Sequence, residues 1–183
     1  MNATPEAPVD AAALTQAIRD YFQTDRSRMT MMAARKFAVP EQAVLAALAG
    51  DWPIVPLRDG IFRDLLDAFP ALGPMRVFVR SRAAIIESVG TFGGFSETGP
   101  FFNVQTETLD MHIFHEEIAA IFAVEKWGHD TTIPTYSFQF FDRDGNAAFK
   151  AFLWDQFPDV PAATIERFKS IRGQFASDPA GGR

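Results

Sequence analysis

Helical spacing from Asp10 to Pro70, a switch to alternating apolar and polar residues after Gly73-Pro74, and an amphipathic stretch after Pro161 predict an α+β fold. Helices come first, an antiparallel sheet follows, and a last helix closes the chain. With 183 residues and 48% hydrophobic content, the sequence suits one domain with a sizeable core. The expected bounds are a tail over 1–9, a domain over 10–175 (helical 10–70, sheet 74–155, helix 162–175) and a second tail over 176–183.

The helices are read from spacing and caps. Asp10 suits an N-cap for a helix to Phe22, with Leu14, Ala17, Ile18 and Tyr21 on one stripe. A second helix fits Met29–Lys36. A third starts with Pro40 in its first turn, runs to Leu48 and stops at Gly50. A fourth covers Arg58–Ala68, where Ile61, Leu65 and Leu66 share a face and Pro70 blocks continuation.

The strands follow by alternation. In Met75–Ser81, Met75, Val77 and Val79 take one face and Arg76, Phe78 and Arg80 the other. Ala84–Val89 continues as strand, and Thr91–Pro100 reads as a Gly-rich loop carrying Phe92 and Phe95. Phe101–Thr108 and Met111–Glu116 form a hairpin. Ile118–Trp127 is apolar throughout, and its β-branched and aromatic content favours strand. Two aromatic strands then flank Asp142–Asn146, a turn whose positive φ positions are expected at Asp, Gly and Asn. Ala162–Phe175 is the closing helix.

Composition narrows the chemistry. Phe occurs 19 times against 3 Trp and 2 Tyr, so the interior, or a pocket, is aromatic without polar handles. A net charge of -6 disfavours phosphate backbones and anionic membranes. The absence of cysteine excludes thiolate zinc sites, iron–sulfur clusters, disulfides and cysteine nucleophiles. No signal-peptide pattern opens the sequence and no apolar run reaches spanning length, so a cytoplasmic protein without membrane insertion is expected.

Few motifs carry chemistry. His112 and His115 are three apart, which on a strand places them on opposite faces, so they do not jointly chelate one ion. His115-Glu116-Glu117 lacks the second histidine of a zincin. Met29–Gly50 has the outline of a helix-turn-helix, but its second helix carries no Lys or Arg, so a packed pair is expected rather than a DNA reader. The Gly90–Pro100 loop fits neither nucleotide-binding glycine pattern. The Arg76, Phe78 and Arg80 face can bind carboxylates; a solvated face is its plain alternative.

Four stretches carry a resemblance: Phe101-Phe102-Asn103, the strand bearing His112, Phe140-Phe141-Asp142 with Gly145, and Ala148-Phe149-Lys150-Ala151-Phe152. In order and spacing they resemble the HutX/ChuX family of intracellular haem-utilisation proteins, related to the HemS/ChuS type, over about Thr30 to Ile171. The resemblance implies a large, curved antiparallel sheet with flanking helices, and a homodimer that binds haem between sheet and helices. It implies His112 as the haem iron ligand, with Arg76, Phe78, Arg80, Phe102 and Phe114 around the macrocycle and its propionates. Arg80 stands where the family often has histidine, which removes one axial ligand. The function so implied is a cytoplasmic haem carrier that meets a haem-degrading or haem-accepting protein. A haem-degrading enzyme of the HemS type, or a dimeric scaffold without haem, are the alternatives.

Overall fold

The computed structural model describes residues 10–129 and 132–177; the expected tails at 1–9 and 178–183 lie outside the described residues. Helix α1 (Ala11–Gln23) is capped by Asp10, whose side chain accepts a hydrogen bond from the Ala12 N–H at 3.1 Å. Helix α2 (Thr30–Phe37) ends at Ala38 in the left-handed region, and α3 (Glu41–Leu48) follows, with Pro40 at its N-cap rather than in its first turn. Together they bury Ile18, Phe22, Ala33, Val44 and Leu48 in a helical core. The helix-turn-helix outline is thus a packed pair.

Strand β1 (Ile54–Pro56) falls inside the region expected to be helical. Three residues are too few to display a period-2 pattern, so it is defined by its pairing. Helix α4 (Phe62–Ala68) starts later than its spacing suggested, since Gly60, at φ +75°, turns the chain ahead of it. A 3-10 turn at Phe69–Leu72 carries the chain through Pro70.

The remaining strands are β2 (Met75–Arg80), β3 (Ile85–Gly90), β4 (Ser96–Thr98), β5 (Phe101–Gln105), β6 (Asp110–Phe114), β7 (Ile118–Trp127), β8 (Pro134–Asp142) and β9 (Ala147–Leu153), and helix α5 (Ala162–Phe175) follows them. A six-stranded sheet runs β1-β7-β8-β9-β2-β3, and a three-stranded sheet runs β4-β5-β6, all pairs antiparallel. The α+β architecture read from the sequence is the one observed.

Alternation along the strands assigns the two faces of the large sheet. Met75, Val77, Phe138, Phe140, Phe149, Ala151 and Leu153 join α4, α5 and the small sheet in the main core. Phe140 and Phe149 stack there at 4.1 Å. Each fully buried Phe contributes about 1.5–3 kcal/mol relative to exposure, which accounts for the need for so many. Ile54, Phe122, Val124 and Phe141 point the other way, into the helical core. The helices pack mainly on the β1-β7-β8 part of that face, with α3 reaching β9 and β2 through Glu41. A cleft lined by Ser137 and Gln139 of β8, Lys150 and Phe152 of β9 and Arg76 and Phe78 of β2 stays open beside them.

Three local expectations change. The Thr91–Pro100 loop contains β4, and Phe92 is buried against Phe69 in the main core, so its aromatic residue anchors the segment. In the Asp142–Asn146 turn only Gly145 has positive φ; Asp142 Oδ1 instead accepts from the N–H groups of Asp144 and Asn146. Ala176 bridges to Leu57 and the Ser177 N–H donates to the Pro56 carbonyl, so these two residues belong to the fold rather than to a tail.

Candidate functional site

The β5–β6 hairpin places His112 by simple alternation. Phe102, Val104, Met111 and Ile113 turn into the main core, so Phe101, Asn103, His112 and Phe114 share the opposite face. Register sets Asn103 directly across from His112, and Phe101 across from Phe114. His112 Nδ1 lies 2.7 Å from Asn103 Oδ1, and its Nε2 is 3.7 Å from Asp110 Oδ1. The His112 side chain is 54% exposed.

His112 lines an open, mainly apolar groove of about 680 Å³ with Val79, Met111, Phe114, Ile118 and Phe149, and with Glu117 and Asp142 as its acidic members. Val79 pairs with Ile86 across the β2–β3 ladder, so the two share a face; both are exposed, as is Phe114. An exposed imidazole beside uncovered apolar side chains is a surface that a flat apolar ligand with a Lewis-acidic centre would cover.

His115 is elsewhere. Strand β6 ends at Phe114, and His115 opens a 3-10 turn (His115–Glu117), so the strand alternation used to separate the two histidines does not extend to it. The separation holds for another reason: the turn sends the His115 ring against Phe62, stacked at 5.9 Å, and towards Phe102. Those three rings line a pocket with Arg63 and Glu97, which form an ion pair. Phe102 is buried in the main core behind the hairpin and turns away from the His112 face.

Arg76, Phe78 and Arg80 share one face of β2 as expected, but it is the face opposite Val79 and hence opposite the His112 groove. The six residues expected around one haem therefore fall into separate places. His112 and Phe114 line the groove, Phe102 lies behind it, and Arg76 and Phe78 line the cleft over β9 and β2. Arg80 turns inward to Glu41.

That cleft, about 740 Å³, has apolar walls from Met29, Met31, Phe78, Trp127 and Phe152 and a polar floor from Ser137, Gln139 and Lys150. Arg76 lies 4.0 Å over the Trp154 ring and pairs with Glu87 at 3.0 Å. Behind the floor, Glu41 Oε1 accepts from Lys150 Nζ at 2.5 Å and from Thr30 Oγ1 at 2.6 Å, while Oε2 accepts from Arg80 at 2.9 Å. Burial alone would raise the Glu41 carboxyl; Lys150, Thr30 and Arg80 outweigh it and hold it below its ordinary range. Two cations on one carboxylate leave the cluster with excess positive charge. Burial pushes the Lys126 ammonium at the cleft wall down to about 8.

The Glu41 cluster was not foreseen. Its signal is a lysine placed among apolar residues in Ala147–Leu153, a position that requires a buried partner. Sequence offers no means of choosing Glu41 as that partner. Among the described residues no group of three or more His, Asp and Glu is placed to hold a metal ion.

Comparison with known proteins adds a family and a fold. The family described as haem utilisation ChuX/HutX matches residues 55–171. No curated protein sequence matches the chain. Among solved structures, the haem-binding protein ChuX superposes with a TM-score of 0.74 at 20% identity, covering 86% of this chain and 97% of its own. The haem-degrading enzyme ChuS of Escherichia coli O157:H7 gives 0.75 at 19%, covering 92% of this chain and 48% of its own. Holo-PhuS, a haem-binding protein of Pseudomonas aeruginosa, gives 0.75 at 22%, covering 93% and 47%. This chain thus spans about half the length of ChuS and PhuS, and at these identities the likeness is one of fold.

Proposed function

The chain belongs to the haem utilisation ChuX/HutX family, and from that premise we propose that it is a cytoplasmic haem carrier in which His112 binds the iron. The observation that carries this reading is the half-exposed His112 ring at the edge of the apolar groove formed with Val79, Phe114, Ile118 and Phe149. A neutral imidazole is a good ligand for haem iron, and the groove offers apolar contact to the macrocycle. Its openness suits a protein that must release its cargo, since a half-covered macrocycle forgoes part of the burial energy of about 25 cal/mol per Å².

We take residues 10–175 to act as one unit and two copies to act together. Arg76 and Phe78 cannot reach a haem on His112 of the same copy, because β2 lies between the two faces. A homodimer removes this obstacle: the cleft of one copy supplies Arg76, Phe78 and the cationic floor to the propionates, and the other supplies His112. Arg80 acts on the ligand only through the charge of its cluster with Glu41.

Haemin titration of the apoprotein tests the reading. A Soret shift at micromolar protein that is lost in His112→Ala supports it; a spectrum of free haemin with the wild type refutes it. Carriage is separated from degradation by adding ascorbate to the complex. A stable reduced spectrum marks a carrier that hands haem to an accepting or degrading protein, whereas loss of the Soret band with iron release marks an enzyme.

A further inference from the structure

The surroundings of His112 assign a role to the residue behind it. Asn103 is 4% exposed and sits across the β5–β6 ladder from His112, with its Oδ1 2.7 Å from the ring Nδ1. The rest of its amide is held from the other side: Nδ2 donates to Ser96 Oγ at 3.1 Å and Thr98 Oγ1 at 3.4 Å, both on β4. Asn103 therefore stands in the middle of a three-strand relay, β4 to β5 to β6, that ends on the imidazole.

We propose that Asn103 is the positioning residue of the His112 site, fixing the ring as the Nδ1–H tautomer so that Nε2 presents its lone pair to a ligand. The proposal rests on the reading of His112 as an iron ligand, and it adds how that ligand is prepared. A neutral imidazole carries its proton on one nitrogen, and the hydrogen bond made by the other selects which. An amide oxygen can only accept, so Oδ1 facing Nδ1 demands a proton there. Free imidazole side chains lack this bias, and a histidine with Nε2–H has no lone pair for iron at its exposed end. The same bond stops rotation about the ring axis and raises the basicity of Nε2, as outer partners of metal-bound histidines do. Asp110 does not compete for the role: its carboxylate is beyond hydrogen-bond distance, at 3.7 Å from Nε2.

Ser96 and Thr98 hold the amide plane against the ring through its far end. A hydroxyl both donates and accepts, so the direction of the amide is read from the ring's own proton. The opposite amide orientation would set Nδ2 on Nδ1 and leave the proton on Nε2, which is the state the measurement must exclude.

The test uses apoprotein labelled with ¹⁵N-histidine, so that its first readout needs no haem. Long-range ¹H–¹⁵N spectra of the wild type are expected to show His112 with a protonated Nδ1 and an unprotonated Nε2. Asn103→Ala is expected to shift the ring towards Nε2–H and to weaken haemin binding about 10- to 100-fold. Asn103→Asp keeps the acceptor and is expected to restore both the tautomer and the affinity. Should the alanine variant fail to fold, Ser96→Ala/Thr98→Ala frees the amide from an exposed strand and is expected to move the tautomer in the same direction. An Nε2–H ring in the wild type, or an Nδ1–H ring unaltered by these changes, overturns the proposal. His112→Ala is run in parallel: unchanged haemin binding there refutes the iron-ligand reading alone, because the tautomer result stands without it.

Discussion

Glu41 and Lys150, 109 positions apart in the sequence, meet at 2.5 Å behind the cleft, with both side chains shielded from solvent. The contact ties helix α3 to strand β9, and Arg80 extends it to β2. Removing one partner of a buried pair strands a charge, so Glu41→Ala is expected to cost about 3–5 kcal/mol and to lower the melting temperature clearly. Lys150→Met and Arg80→Met together with Glu41→Leu, which leaves neither cation of the cluster behind, is expected to recover much of that loss. Thermal denaturation of the single and triple variants checks both.

The same carboxyl makes an acid limb. Glu41 is held below its ordinary value of 4.5 when folded. A depressed folded value means that its contribution is fully present above 4.5 and is lost as pH falls through the folded value. Chemical denaturation between neutral pH and strongly acid pH is expected to show a stability loss in that acid window that is smaller in Glu41→Gln.

Haemin binding should separate the histidines. His112→Ala is expected to abolish or displace the Soret band, while His115→Ala, which alters a ring stacked on Phe62 in another pocket, leaves it in place. Equal loss in both variants would remove the groove from consideration.

The two-copy site predicts complementation. Arg76→Ala and His112→Ala are each expected to bind haemin weakly, for opposite reasons. Mixed after dissociation and reassociation, they form heterodimers in which one of the two sites keeps both groups. About a quarter of the wild-type high-affinity sites is therefore expected if reassociation is random: half the dimers are mixed, each with one intact site. Titration of the mixture reads it, and no recovery would place the two residues in different functions.

Lys126 predicts a basic limb for binding. Burial lowers its ammonium to about 8, so the cleft loses a positive charge as pH rises through that value. Affinity for haemin, which carries two anionic propionates, is expected to fall above pH 8, and Lys126→Arg to flatten the fall, because a guanidinium keeps its charge.

Much of the chain was legible beforehand. Strand β7 has the bounds that its apolar, β-branched and aromatic run predicts, helix α5 has those of its amphipathic stretch, and the shared face of Arg76, Phe78 and Arg80 follows from period 2 alone. Strands β1 and β4 were not legible, because three residues carry no period and each exists through its neighbour's hydrogen bonds. At the site, only register sets Asn103 across from His112 and Oδ1 against Nδ1.

The sequence by itself determined the class of fold, the order of its longer elements and the faces that the β2 residues take, since these are local consequences of side-chain spacing. Only the tertiary structure decided that β2 divides Arg76 from the His112 groove, that Glu41 neutralises Lys150, and that Ser96 and Thr98 stand behind Asn103. Those relationships depend on which strands lie side by side and in what register. Burial of the whole core fixes that choice, and no local pattern along the chain encodes it.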